Sequence, residues 1–183
     1  MKLMFISDIH GSYYYAKKAI DTYVKENADK LIILGDILYH GPRNDLPKEY
    51  APKQVITLLN EYKKDIIAIR GNCDAEVDQM VLDFPMRGDF ATIDVDDHHF
   101  FLTHGHLFDE TNLPSLNAGD IFAYGHIHKP VAKEVGGIYI INPSSISLPK
   151  EGNNSYGIYE NDEFMIKEFD QTVVKQIKLI KCD

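Results

Sequence analysis

The sequence predicts a mixed α/β (α+β) fold in which two β-sheets stack with helices outside them. Two observations carry this expectation. As far as Arg70, short apolar runs alternate with segments of helical period; beyond it, short strands separated by tight polar turns take over. No repeat, low-complexity tract or Gly/Ser linker interrupts the chain, so residues 1–183 are expected to form one domain.

The elements follow in order. "KLMFISD" reads as the first strand. After "GS", Ala16, Ala19, Ile20, Tyr23 and Val24 recur at helical spacing, with Ser12 as the N-cap. "KLIILGD" is a second buried strand. In "APKQVITLLNEYKK", Pro52 opens a helix whose apolar face is Val55, Ile56, Leu59 and Tyr62, and "DIIAIRGN" is the third strand. Strand, helix, strand, helix, strand implies parallel pairing through right-handed crossovers. Next, "ATIDV" and "HHFFLTHG" read as a hairpin around "DD", with His98 and His99 as exposed hairpin residues. "IFAYGHIH" is a short strand, "VAKEV" and "IYIINP" flank "GG", "SYGIYENDEFMIKEF" turns at "END", and "VVKQIKLI" closes the fold.

Charge narrows the function classes. Lys and Arg number 19 against 28 Asp and Glu, a net charge of −9, so extended nucleic-acid or anionic-membrane binding is not expected. A small anion would need a local concentration of positive charge, such as bound metal. The only cysteines, Cys73 and Cys182, lie far apart, which suits a reducing compartment. The opening "MKLMFISDIHGS" lacks a signal-peptide core, and no run approaches the ~18 apolar residues of a membrane span. A cytoplasmic protein without membrane contact is expected.

Metal-competent side chains gather at the predicted strand ends. Asp8 and His10 stand one residue apart at the end of the first strand, where a two-residue period would point both the same way. Asp36 ends the second strand and Asn72 follows the third. The ends of parallel strands line one crevice, the usual place for ligands. His104 in "LTHGH" and the pair His126 and His128 in "YGHIH" add imidazoles beside glycines. Mixed Asp, His and Asn donors suit borderline-hard divalent ions rather than a thiolate-rich structural zinc site. These seven side chains exceed what one ion takes and fit two ions sharing Asp36.

The blocks "SDIHG", "GD", "GNCD", "THGH" and "GHIH", in this order, resemble those of the calcineurin-like metallophosphoesterases. "GPRN", "RGNCD" and "EVDQM" are similar to the small bacterial YfcE-type phosphodiesterases. The resemblance runs to about "NPSSIS" and through the last strands, although Ser144 stands where the family's turn has glycine. It implies a four-layer αββα sandwich. One ion would sit on Asp8, His10, Asp36 and His128, the other on Asp36, Asn72, His104 and His126. The two divalent ions, manganese foremost with zinc, iron, nickel or magnesium as alternatives, would polarise the phosphoryl group of a small phosphodiester and supply a bridging hydroxide. A phosphomonoesterase is the alternative within enzymes; the lack of an evident arginine clamp for a terminal phosphate leans toward diesters. A non-catalytic scaffold module of the same fold is the alternative outside them. A homo-oligomer, dimer or tetramer, is a further implication.

In many members of that family the residue after the Asn is His, which serves the leaving group or the transition state. Here it is Cys73, and a thiol of ordinary pKa, near ~8.5, is a weaker donor than imidazolium. The chain lacks the arginine-bearing phosphate loop of cysteine phosphatases, so Cys73 is expected beside the substrate rather than as a nucleophile. His106 is a second candidate to touch substrate, and His40 and Arg43 in "YHGPRN" are candidates to reach a phosphate or base. Tyr13, Tyr14 and Tyr15 are expected mainly to pack the first helix. If position 73 serves leaving-group protonation, Cys73→His should raise hydrolysis of alkyl diesters more than that of activated aryl diesters. Equal gains on both classes in steady-state assays would remove the acid role.

Overall fold

Alternation along the first strand serves two of the molecule's apolar cores. β1 (Leu3–Ile6) turns Leu3 and Phe5 toward one apolar cluster and Met4 and Ile6 toward another. β2 (Lys30–Ile33) and β3 (Ile66–Ala68) add to it in parallel, with the predicted helices between them. α1 (Tyr13–Glu26) begins where Ser12 Oγ accepts the Tyr15 N–H and ends at Asn27, which takes the left-handed conformation of a helix stop. α2 (Pro52–Glu61) opens on Pro52, whose missing N–H costs nothing there. Ala16, Ala19, Ile20, Tyr23, Val55 and Leu59 bury their side chains against Met4, Ile6, Leu31 and Ile33. Val24, predicted for the same face, is 58% exposed, and the last turn buries Thr22 and Tyr23 instead.

The computed structural model describes residues 1–180; Cys182 lies outside the described residues. β4 (Phe90–Val95), β5 (His98–Thr103), β6 (Ile121–Ala123), β7 (Pro130–Val135) and β8 (Ile138–Pro143) form a second sheet in the order β4-β5-β6-β8-β7. β9 (Ser155–Glu160), β10 (Glu163–Glu168) and β11 (Val173–Lys178) return to the first sheet, giving β11-β10-β9-β1-β2-β3. Both sheets mix parallel and antiparallel pairs. Between them lie Leu3, Phe5, Ile32 and Leu34 from one side and Phe100, Leu102, Ile121, Tyr139 and Ile141 from the other. The expected stack of two mixed sheets is thus present. Among the described residues its α-helical layer lies on the first sheet. On the second, Phe101, Phe122, Tyr124 and Ile140 are met by Phe108, Leu113 and Leu116 of an irregular segment. No helix among the described residues is long and apolar enough to cross a membrane.

The three predicted hairpin turns carry positive φ at Asp96 and Asp97, at Gly136 and Gly137, and at Asn161 and Asp162. That is the backbone which two-residue connections between twisted strands demand. His98 departs from expectation. It is buried, its Nε2 lies 3.0 Å from Asp162 Oδ1, and its ring packs edge-on against Tyr159, because the first residue of β5 faces the neighbouring hairpin and not solvent.

At the end of the fold opposite the strand C-termini, Glu26 ties the N-terminal strand to α1 and β10. It accepts from Lys2 Nζ at 2.8 Å, Lys167 Nζ at 3.0 Å and Tyr156 Oη at 3.0 Å. Burial raises its pKa, but these donors outweigh burial and bring the carboxyl from about 4.5 down to about 2. A depressed carboxyl contributes stability above its unfolded pKa and loses it as pH falls through the folded one. Glu26→Gln should therefore cost about 1.5–3 kcal/mol at pH 7 by urea unfolding. The gap from wild type should narrow between pH 4.5 and 2; a gap as wide at pH 3 as at pH 7 would assign the loss to packing instead.

Candidate metal centre

Five strands of the two sheets, β1, β2, β3, β5 and β6, end at one rim, and each is followed within a few residues by a predicted ligand: Asp8, Asp36, Asn72, His104 and His126. The two-residue strand period does not aim them. β1 stops at Ile6, and Asp8, His10, Asp36, His126 and His128 take φ of 56°, 50°, 55°, 66° and 56°. Asp and His tolerate this left-handed region better than bulky β-branched residues, yet each such residue still costs on the order of 1 kcal/mol or more. The turns are pinned by backbone bonds from Asp8 N to Gly35 O (3.1 Å) and His10 N to Asp36 O (2.9 Å). Ser145 Oγ and Ser147 Oγ each donate to Asp8 O at 2.8 Å.

With the rings neutral, the side chains converge through acceptor atoms. Asp8 Oδ1 lies 3.1 Å from His128 Nε2 and 3.7 Å from His10 Nε2, and Asp36 Oδ2 lies 3.3 Å from His104 Nε2 and 3.7 Å from His10 Nε2. Asn72 Oδ1 is 3.0 Å from His104 Nε2, and the Nε2 atoms of His10 and His128 stand 3.3 Å apart. The far ring nitrogens set the tautomers. Nδ1 of His10, His104 and His128 lies 2.8, 2.6 and 2.6 Å from the carbonyls of Tyr39, Leu34 and Leu148. A carbonyl only accepts, so each Nδ1 carries the hydrogen and each neutral ring turns an Nε2 lone pair inward. Asp8 Oδ1 is buried with no hydrogen bond of proper geometry. Lone pairs facing one another in a buried space need a cation among them, and this oxygen and imidazole set fits divalent ions.

Protons occupy that role in part when no cation is bound. Burial disfavours the His104 imidazolium, but Asp36 and Asp8 outweigh it and push the pKa up to about 9. Burial likewise raises Asp8 and Asp36, yet the surrounding imidazoles hold both carboxyls below their ordinary value.

Among the described residues three ligand-atom groups fall within 4.8 Å: Asp8, His10 and His128; Asp8, Asp36 and His104; and His10, Asp36 and Cys73. His126 joins none of these groups. Its ring stands 5.1 Å from that of His104, its N–H donates to Asp8 Oδ2 at 3.0 Å, and its side chain lines the cleft. His106 packs with ring centroids 5.4 Å from His104, its Nδ1 buried without a partner, and is not among the cleft-lining residues. Cys73 lines the cleft, and burial together with the Asp36 charge pushes its thiol up to about 12.

Neighbouring residues hold these candidate ligands in place. Asp74, the last residue of "GNCD", accepts from the N–H groups of Asp36 and Gly71 through Oδ2, both at 2.8 Å, and of Ile37 through Oδ1 at 2.7 Å. Burial raises its pKa and the three N–H bonds lower it; the net is up to about 6. Cys73 N donates to Asp36 Oδ1 at 2.7 Å, and Ser7 Oγ to Asp8 Oδ2 at 2.6 Å. Two glycines leave the necessary room. A Cβ on Gly71 would fall 2.1 Å from Asp36 Oδ1, and one on Gly125 1.9 Å from Ser7 Oγ.

The centre opens into a cleft of about 480 Å³ whose wall also carries Arg43, Lys129 and Lys150. Of the two candidates in "YHGPRN", Arg43 reaches the cleft, because the turn Gly41–Asn44 packs on Cys73. His40 turns away, its ring edge-on to Tyr39 and Tyr50.

A family model, the calcineurin-like phosphoesterase superfamily domain, matches residues 1–163. Phosphodiesterase YfcE of Escherichia coli K12 is 48% identical over 181 residues, 98% of each chain. Phosphodiesterase MJ0936 of Methanocaldococcus jannaschii is 28% identical over 96% of this chain and 100% of its own. The solved structure of the Escherichia coli YfcE phosphoesterase superposes with a TM-score of 0.96 at 47% identity, covering 98% of this chain and 100% of that one. Vps29 of Entamoeba histolytica shares the fold alone, with a TM-score of 0.60 at 20% identity over 98% of this chain and 100% of that one.

Because Asp74 sets the Asp36 backbone without touching the acceptor cluster, Asp74→Asn should place an amide NH₂ against backbone N–H groups and tilt Asp36. Affinity for Mn²⁺, read by titration with electron paramagnetic resonance, should fall about 10–100-fold. A change within twofold would deny Asp74 this positioning role.

Proposed function

The chain belongs to the calcineurin-like phosphoesterase superfamily, and on that premise we propose that it is a metal-dependent phosphodiesterase acting on small phosphodiesters. The observation that carries this reading is the set of facing lone pairs on Asp8, Asp36, His10, His104 and His128, buried and held from behind by carbonyls and N–H groups. Asn72 and His126 complete the proposed ligand set from the cleft side. Two divalent ions at these donors, manganese first among them, would supply Lewis acidity toward the phosphoryl oxygens and lower the pKa of water between them.

The chain's own residues do the rest. Asp8 and Asp36 offset part of the ionic charge, and the Nδ1–H bonds to backbone carbonyls fix the imidazoles so that no reorientation is needed on loading. Asn72 faces the cleft beside Cys73, its Nδ2 donating to Sγ at 3.2 Å. A thiol pushed up to about 12 stays neutral at pH 7, so Cys73 offers a weak S–H donor near the leaving group and no thiolate nucleophile. His106 supports the His104 and His126 rings from outside the cleft lining. A small substrate in a cytoplasmic, single-domain protein suits the cleft's size and the chain's net charge of −9.

Arg43 on the cleft wall keeps a phosphomonoesterase as the second reading, since a guanidinium suits a terminal phosphate dianion. One assay set decides. Metal-free protein supplied with Mn²⁺ should hydrolyse bis(p-nitrophenyl) phosphate faster than p-nitrophenyl phosphate, and chelation should abolish both activities. Asp36→Ala should lower diester turnover by at least about 100-fold and reduce bound metal while circular dichroism stays native. Undiminished turnover in that variant, or in excess chelator, would remove the catalytic reading.

A further inference from the structure

The cleft wall holds more positive charge than the reaction centre needs. Two divalent ions set against the carboxylates of Asp8 and Asp36 leave a surplus that one phosphodiester and one hydroxide match. Arg43, Lys129 and Lys150 come in addition, on a chain whose net charge is −9. Lys129 is partly answered by Glu151 at 3.9 Å. Among the described residues the side chains of Arg43 and Lys150 have neither an ion pair nor a hydrogen bond, and the one carboxylate lining the cleft is Asp36, already committed to the centre.

Both cations are attached to the ligand-bearing chain. Arg43 rides on the turn from Gly41 to Asn44, where Asn44 N donates to Gly41 O at 3.4 Å and Asn44 Nδ2 donates to His40 O at 2.8 Å. A Cβ on Gly41 would come within 3.0 Å of Cys73 Sγ, so this turn seats directly on the centre's edge. Lys150 N donates to His128 O at 2.9 Å, which ties the backbone that carries the second cation to a candidate ligand residue. Arg43 and Lys150 thus line one cleft beside the centre from different loops, with exposed side chains and no carboxylate partner among the described residues.

We propose that Arg43 and Lys150 form a second anion subsite, which makes the preferred substrates small phosphodiesters bearing a further phosphate or carboxylate. This rests on the phosphodiesterase reading above. Arg43 and Lys150 determine which diester binds; the chemistry at the scissile phosphate belongs to the centre.

The test compares two esters with the same leaving group: thymidine 5′-(p-nitrophenyl phosphate) with a free 3′-hydroxyl, and the same compound carrying a 3′-phosphate. The Mn²⁺-loaded protein should favour the 3′-phosphate ester by about tenfold in kcat/KM, mainly through KM. The preference should shrink as salt is raised. Arg43→Ala should cut the ratio by about fivefold, and Arg43→Ala with Lys150→Ala should bring it near one. A wild-type ratio near one overturns the proposal. So does a preference that survives the double variant, which would assign the extra phosphate to the ions, and so does a loss in Arg43→Ala confined to p-nitrophenyl phosphate, which would assign Arg43 to a terminal phosphate. If neither ester turns over, the phosphodiesterase reading fails separately. Binding then decides the subsite: tighter binding of thymidine 3′,5′-bisphosphate than of thymidine 5′-phosphate to the Mn²⁺-loaded protein, lost in the double variant, supports it, and equal affinities overturn it.

Discussion

Lone pairs pointed at one another inside a folded protein are the constraint around which this molecule is arranged. Asp8, Asp36 and three imidazoles, when the rings are neutral, present acceptor atoms to a shared volume, and each is prevented from turning away. Leu34, Tyr39 and Leu148 carbonyls hold the rings, Ser7 and the His126 N–H hold one carboxylate, and Cys73 N holds the other. Such a cluster is unfavourable without positive charge among its members. The raised pKa of His104 expresses this: with no ion present, the site retains protons well into alkaline solution.

The two cores make that concentration of unfavourable groups tolerable. Alternate residues of β1 serve the helix-facing core and the inter-sheet core, so Leu3, Met4, Phe5 and Ile6 are all essentially buried. The same strand then carries Asp8 and His10 on its outgoing turn. Apolar burial on this scale, at about 25 cal/mol per Å², offsets strain and desolvation at the rim. Packing and chemistry are thus connected through a few backbone atoms beyond Ile6.

The sequence made most of this legible, through two different signals. Periodicity gave the elements: Ser12 capping α1, Pro52 opening α2 and the three positive-φ hairpin turns appear where they were read. Residue type and order gave the ligand candidates, but the strand period was the wrong reason for their orientation. Left-handed turns aim them, and a single sequence shows those only as Gly, Asp and His beside one another. Asp74 was illegible because a carboxylate that accepts backbone N–H groups looks the same in sequence as one that binds metal. His98 was misread because its partner Asp162 comes from a hairpin 64 residues away. The cover on the second sheet was obscured for a related reason: Phe108, Leu113 and Leu116 pack without any helical or strand period to announce them.

The left-handed backbone at Asp8, His10, Asp36, His126 and His128 bears on how such a protein ages over generations. Glycine or asparagine would relax each turn, at the cost of the hydrogen bonds these side chains make to the backbone. A lineage that shed these side chains would relax strained turns, and each relaxed turn would make reversal less favourable. Decay of the centre would then work as a ratchet, leaving the architecture to be put to other uses.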